Sequence, residues 1–405
     1  MADITVSYKG TTIAEVSASG TTTLGTSGKY CEDDISIAYT KPSGGVSAPQ
    51  NDVNFIDYDG TIVASYSAAD FANLSAMPDN PTHTGLTAQG WNWTLADAKA
   101  QVSVSGQLVI GQMYVTSDGK TRIYLSIPNE LLCEVKLNWG QTVANGVTID
   151  WGDGTATETF SGTGSKNQYH TYASVGDYCI TLNPTSGTLT LGGGGGTSTL
   201  IYGRTNPQGL RNILKRVEVG RNTEFAASCF YCSYLLEYVT IPKEITTIPN
   251  LLLYNTYMLK SLVIPHGVSS ITTNTFRLSY ALEWLSIPKS LTTFGNYCFN
   301  GALLRSFTIP LATTAIPDSL LNADKALVKI VIPSSVTSIG TQSFYSCESL
   351  QEIHFKPTTP PTVANANAFQ SVPTTCKIYV PSGSLSAYTS ANNYPSSSTY
   401  TYIEE

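Results

Sequence analysis

The sequence predicts a mainly β chain whose C-terminal part is a solenoid, and three observations carry that reading. A short apolar phrase keeps returning: LEYVTIP, LKSLVIP, LEWLSIP, LRSFTIP and LVKIVIP, with looser versions LKRVEV before and LQEIHF after. Its sixth residue falls at Val219, Ile241, Ile264, Ile287, Ile309, Ile332 and Phe355, at intervals of 22 or 23 residues, a period in which each repeat is one coil stacked on the last. Ahead of the repeats, short runs alternate apolar and polar residues between Gly- and Asp-containing turns, which is strand patterning. The expected order is a small N-terminal β module (1–45), a mixed α/β module (51–128), a β-sandwich (129–192), a solenoid of about seven coils (205–372) and a C-terminal cap (373–405).

In the first module, ITVSYKGTTIAEVSASGTTTL alternates around a Lys9-Gly10 turn, and DISIAY adds a further run. This style resembles short N-terminal modules in tail and other structural proteins of phages infecting gut Firmicutes, which implies docking on other virion proteins. KPSGGVSAPQ, Lys41 to Gln50, has linker composition.

The mixed module opens with VNFIDYDGTIVASY, a hairpin turning at Asp59-Gly60. Ser67 caps a first short helix. Thr94, with Asp97 three residues on, caps a second over TLADAKAQV. GQLVIGQMYVTSDGKTRIYLSIP reads as another hairpin, turning at Asp118-Gly119. Trp91 and Trp93 supply the aromatic mass of a small core rather than a ligand platform. The run from Gly85 to Ala100 resembles a segment found beside PKD-type domains in gut phage structural proteins.

Residues 129–191 carry VTIDWGDGTATETF and YHTYASVGDYCITL, strand-like runs around a Gly-Asp-Gly turn. Trp151 to Thr155 (W-G-D-G-T), His170-Thr171-Tyr172 and Gly176-Asp177-Tyr178 resemble the marks of the PKD-type β-sandwich, in that family a spacer or adhesive module. Asp150 and Asp153 could reach a calcium ion. The plainer reading, preferred here, has Asp153 capping its own turn. LGGGGGTST, Leu191 to Thr199, reads as a flexible joint and not as a phosphate loop, because no G-K-[ST] follows.

In the repeats, L-x-x-[VLIF]-x-I alternates as a strand does, and the following proline, having no N–H to donate, ends it. Rows of apolar residues recur six positions before the leucine (Phe230, Leu253, Phe276, Cys298, Leu321, Phe344) and after the proline (Ile248, Ile271, Phe294, Ile316, Ile339). The pattern, fullest in VIPSSVTSIGTQSFYSCESLQEI, resembles the leucine-rich repeats of BspA-type bacterial surface proteins. That resemblance implies adhesion and recognition without catalysis. The closing segment from Cys376 resembles the end common to such repeats, with Ile378 to Val380 as the covering strand and a short helix near Ser384 to Ser390.

Composition narrows the function. Charged residues are 13% of the chain, about half the usual share, and Ser, Thr, Gly, Asn and Tyr supply the polar surface, as suits a protein standing outside cells. A net charge of -7 argues against a nucleic-acid partner. No apolar run nears the ~20 residues of a membrane span. MADITVSYKG lacks a basic segment followed by an apolar one, so no Sec-type signal is expected, which favours a virion protein over an exported adhesin. The eight cysteines are scattered and read as buried thiols; Cys229 and Cys232 form one C-x-x-C without the second pair that a closed zinc site needs. His83, His170, His266 and His354 lie in different modules outside any catalytic motif, so neither enzyme activity nor a cofactor is expected, although a glycosidase carboxylate pair would leave no trace in sequence.

The expectation is a non-enzymatic virion protein, a tail fibre or decoration, whose repeats face a host surface protein or glycan. The alternatives are a bacterial cell-surface adhesin and a purely structural capsid or tail component. A homotrimer would suit attachment. The third and fifth residues of each phrase should tile the exposed face of the sheet, with Trp284 and Tyr238 standing proud. The expected ligand-binding residues are therefore Tyr238, Trp284, Ser286, Lys329 and His354. In the competing reading Trp284 packs over neighbouring coils or a loop. Lys215, Glu237, Lys260, Glu283 and Arg305 alternate in sign from coil to coil and should pair across the roughly 4.8 Å between stacked strands.

Overall fold

The computed structural model describes residues 3–8, 11–16, 35–40, 52–128, 130, 133–144, 146–193, 199–203 and 213–405. The expected Lys9-Gly10 turn, the linker from Lys41 to Gln50, Cys31 and the middle of the glycine run (194–198) lie outside the described residues. At the N-terminus, Asp3–Tyr8 pairs antiparallel with both Thr11–Val16 and Ile35–Thr40 in a three-stranded sheet.

The mixed module is a four-stranded sheet in the order Ile62–Tyr66, Val53–Ile56, Leu108–Thr116, Leu86–Trp91, with two helices. Both helices start at the expected caps: Ser67 Oγ accepts from Asp70 N at 3.1 Å, and Thr94 Oγ1 from Asp97 N at 3.2 Å. The second helix, Leu95–Ser105, stops at Gly106, whose φ of 67° costs a glycine no Cβ clash. Trp91 and Trp93 are buried with Phe55, Phe71, Val102 and Ile110.

The second expected hairpin does not form. Its halves, Leu108–Thr116 and Thr121–Ile127, go to different sheets, and the Asp118-Gly119 turn passes the chain from one module to the next. Hydrogen bonding explains why. Leu108–Thr116 has both edges taken, by Val53–Ile56 and Leu86–Trp91. Thr121–Ile127 has its edges taken by Gly176–Pro184 and Leu214–Glu218, and buries Ile123, Leu125 and Ile127 in the sandwich core.

That pairing also welds the sandwich to the repeats. One sandwich sheet runs Glu158–Phe160, Val147–Asp150, Gly176–Pro184, Thr121–Ile127 and continues into the coil strands Leu214–Glu218 and Tyr238–Val239. The other runs Gly164–Thr171, Glu134–Gln141, Leu189–Leu191, Thr223–Phe225. The strands flanking the glycine run, Leu189–Leu191 and Ile201–Gly203, both pair with Glu134–Gln141. Sandwich and solenoid share one apolar core.

Within the solenoid every expected column is buried, from Leu214 to Leu350 at the first position, Val217 to Ile353 at the fourth and Val219 to Phe355 at the sixth. A second set of short parallel strands follows the prolines, as in Thr247–Ile248, Ser270–Ile271 and Thr293–Phe294. The third side of each coil uses backbone twist instead. Two residues four positions apart take φ between 54° and 78°: Ser228 and Cys232, Leu251 and Asn255, Asn274 and Leu278, Tyr297 and Gly301, Ser319 and Ala323, Gln342 and Ser346. Alternate N–H groups there point along the stack, so Asn274, Phe276 and Leu278 donate to the carbonyls of Asn296, Cys298 and Asn300 in the next coil. The solenoid makes about 8 turns. Lys377–Val380, expected as a covering strand, continues the parallel ladder from Glu352–Phe355, and Thr401–Glu404 adds a further rung.

Candidate attachment face

Proline decides what happens on the outer face of the coil strands. In a parallel ladder the carbonyl of a sixth residue accepts from the N–H of the residue after its partner in the next coil. Ile332 does so, taking Lys356 N at 2.9 Å. For Val219, Ile241, Ile264, Ile287 and Ile309 the corresponding residues are Pro242, Pro265, Pro288, Pro310 and Pro333, which have no N–H to give. A buried carbonyl left without a donor costs about 1–3 kcal/mol.

The mixed module answers most of them. Asn92 Nδ2 donates to Ile264 O at 2.8 Å, Trp93 Nε1 to Ile287 O at 2.8 Å and Gln101 Nε2 to Ile309 O at 3.1 Å. At the end of the module's last strand, Thr116 N donates to Val219 O at 3.1 Å. Asn92 Oδ1 accepts from Gly111 N and from Ser286 Oγ, both at 2.9 Å. Gln101 Oε1 accepts from Leu311 N at 3.2 Å, and Ser261 Oγ donates to Tyr58 O at 2.8 Å. Gly111 lets the two backbones approach, since a Cβ there would lie 2.4 Å from a methyl of Val263.

The expected open face is therefore closed over its first five coils. Tyr238 is 8% exposed, its hydroxyl donating to Glu218 Oε1 at 2.8 Å and its ring 4.7 Å from Tyr58. Ser286 is fully buried, its one hydroxyl hydrogen shared between Val109 O at 2.8 Å and Asn92 Oδ1 at 2.9 Å. Trp284 is half-buried against Ile56, Val109, Met113 and Val263, which is the packing alternative. These three do not stand proud; the orphaned carbonyls beside them need donors, and the module that brings donors covers the face.

Lys329 and His354 lie farther along and come together through Glu352; Lys329 is half-buried, and His354, expected on the open face, is buried at 9% exposure. Lys329 Nζ is 3.9 Å and His354 Nε2 3.1 Å from Glu352 Oε2. His354 Nδ1 is 3.0 Å from Glu405 Oε2, and its ring stacks on Tyr379 with centroids 4.2 Å apart. Lys356 Nζ reaches Glu405 Oε1 at 2.5 Å. Burial works against the Glu405 carboxylate, but Lys356 and His354 hold its pKa below the ordinary value. Sequence reasoning missed Asn92, Gln101, Tyr379 and Glu405. The recurring Ile-Pro was the available signal for the first two, because it announces orphaned carbonyls.

Elsewhere, Asp153 caps its own turn, as expected. Asp153 Oδ1 accepts from Thr155 N and Thr155 Oγ1, and Oδ2 lies 2.7 Å from His170 Nε2. Burial raises its pKa, but the bonds from Thr155 and His170 outweigh that and hold it at about 2. Among the described residues no cluster of three or more His, Cys, Asp or Glu is placed to hold a metal. Cys229, Cys298, Cys347 and Cys376 are buried, and burial raises each thiol pKa. Of the charge ladder, Lys215–Glu237 pair at 3.7 Å and Arg305–Glu283 at 2.8 Å; Lys325–Glu348 at 3.2 Å is a cross-coil pair at another position, two residues before the opening leucine.

Residues 214–327 and 314–404 match the BspA type leucine rich repeat region, in six copies. Among solved structures the chain is similar to a leucine-rich repeat protein from Bacteroides ovatus ATCC 8483, at 18% identity over 47% of this chain and 66% of that one, with a TM-score of 0.25. It is also similar to a leucine rich cell surface protein from Faecalibacterium prausnitzii A2-165 (20% identity, 42% and 60%, TM-score 0.32) and to the pneumococcal vaccine antigen PcpA (17% identity, 46% and 52%, TM-score 0.34). The chain thus spans less than two thirds of each of these proteins. No curated protein matches it. The residues matched, 214–404, are those of the solenoid and its last rungs, a little under half of the chain.

Proposed function

We propose that the chain is a non-enzymatic attachment protein of a virion, a tail fibre or decoration, whose contact surface is the C-terminal end of the solenoid face. The observation that carries this reading is the division of the face: the mixed module closes it as far as Ile309, and beyond it Lys329, Glu352, Lys356 and Tyr379 are half-buried around the buried His354. Charged groups around a stacked aromatic pair suit a host surface protein or glycan, and aromatic anchors tend to dominate such contacts. The N-terminal three-stranded module joins other virion proteins in this reading, and the sandwich acts as a PKD-type spacer. Support for the spacer comes from its motif residues meeting as two stacked pairs, Trp151 on His170 at 4.5 Å and Tyr172 on Tyr178 at 4.0 Å, joined edge to face. The BspA-type repeats equally suit a bacterial cell-surface adhesin, and antibody labelling of purified particles against labelling of bacterial cells separates the two. For the contact surface, Tyr379→Ala combined with Lys356→Ala should weaken binding to gut Firmicutes cells about tenfold, equivalent to about 1.4 kcal/mol, while Trp284→Ala leaves binding unchanged. Unaltered binding by the double variant refutes this placement.

A further inference from the structure

One proline-orphaned carbonyl is left unanswered. Val219, Ile264, Ile287 and Ile309 each receive a donor from residues 92–116, but Ile241 O, deprived by Pro265, meets no donor among the described residues. Beside it a small pocket opens at the junction of mixed module and solenoid, lined by Ile241, Thr240, Gln112, Tyr58 and Tyr114 together with three apolar side chains, with room for one water-sized group. Gln112 is 1% exposed; its Nε2 donates to Met113 O at 3.2 Å, while its Oε1 has no partner among the described residues. The pocket therefore holds two buried acceptors that call for a donor.

Its walls say which donor. Tyr58 and Tyr114 meet edge to face with centroids 5.6 Å apart. Around them stand Asp57, Asp59 and Glu218, offset in part by Arg216; Asp57 Oδ2 lies 2.6 Å from His83 Nε2. Burial raises the Tyr58 phenol pKa, and Asp59, Asp57 and Glu218 raise it further against the pull of Arg216. A primary ammonium is water-sized, carries three N–H donors and no acceptor, and is drawn to aromatic rings and negative surroundings. A neutral hydroxyl gains less from those rings and carboxylates.

We infer that this pocket binds a primary ammonium group, Gln112 Oε1 and Ile241 O accepting its hydrogens beside Tyr58 and Tyr114. The group can come from a lysine side chain of a partner protein or from an amino sugar. This inference stands apart from the attachment surface at the other end of the solenoid, and either can fail without the other.

The test uses the full chain and saturation-transfer NMR at pH 7 and constant ionic strength. n-Butylamine should bind about fivefold or more tightly than n-butanol, and Gln112→Met should weaken the amine by a similar factor. Should Gln112→Met not fold, Tyr58→Leu, at a half-exposed position, gives the same readout. Binding of Nα-acetyl-lysine methylamide without glucosamine assigns the group to a protein partner; the reverse assigns it to a glycan. Equal binding of amine and alcohol, binding of neither, or amine binding that survives Gln112→Met, or Tyr58→Leu in its place, overturns the inference and leaves a water site only.

Discussion

Replacing Asn92 by leucine tests the proline argument at its most loaded point. Asn92 is buried, donates to Ile264 O and accepts from Gly111 N and Ser286 Oγ. Leucine fills the same space, leaves no room for water and offers no polar atom. Ser286 Oγ keeps Val109 O at 2.8 Å, so two backbone groups are stranded, Ile264 O and Gly111 N. At about 1–3 kcal/mol for each buried unpaired group, Asn92→Leu should cost about 2–6 kcal/mol in urea denaturation. The partner variant is Pro288→Ala, which restores the missing N–H opposite Ile264 O just as Lys356 N serves Ile332 O. Alone, Pro288→Ala should cost about 0.4–1 kcal/mol by freeing the unfolded chain. In the Asn92→Leu background it should rescue one of the two stranded groups, giving a coupling energy of about 1–3 kcal/mol. A coupling near zero, or an Asn92→Leu penalty below about 1 kcal/mol, refutes the claim that prolines create the sites that the mixed module fills.

Three further outcomes follow from the coil geometry. Leu285→Ala truncates an inward column and should cost about 2–5 kcal/mol by the same denaturation assay. Ala323 sits at φ 60°, where its neighbour coil uses Gly301, so Ala323→Gly should raise stability by about 0.5–1 kcal/mol, read as a higher melting temperature. Asp324 is fully buried, its carboxyl accepting from Leu304, Ala326 and Leu327 N–H groups; burial pushes its pKa up to about 8 against the pull of those donors. The folded pKa lies above the unfolded value of about 4, so the folded state holds the proton between them. The stability it contributes is complete below about pH 4 and is lost as pH rises through about 8, by up to about 1.4 kcal/mol per pH unit. Asp324→Ser, matching Ser279 at the same coil position, should flatten that slope.

The solenoid was legible because its period repeats the same burial demand seven times, so chance matches at single positions cancel. Leu282, Leu285 and Ile287 were identifiable as core from spacing alone. The caps at Ser67 and Thr94 were legible for a different reason, since a capping bond spans only three residues. What failed was long-range pairing. Thr121–Ile127 alternates as well as any hairpin strand, and nothing local says that its edges are claimed by Gly176–Pro184 and Leu214–Glu218. The exposed face failed likewise: the third and fifth positions do point outward, but outward here means toward Asn92, Trp93 and Gln101, some 170 to 210 residues earlier in the chain. Lys329 and His354 meet at Glu352 because they share the repeat's own register, while the link of His354 to Glu405 depends on where the last rung returns.

Hydroxyl-radical footprinting of the intact chain tests the division of the face most directly. Tyr238 and Trp93 should be protected, Tyr379 should react, and Tyr169, 45% exposed, supplies the fully reactive standard. Modification of Tyr238 and Trp93 at the rate of Tyr169 would contradict the account, because the mixed module would then not be seated on the coils.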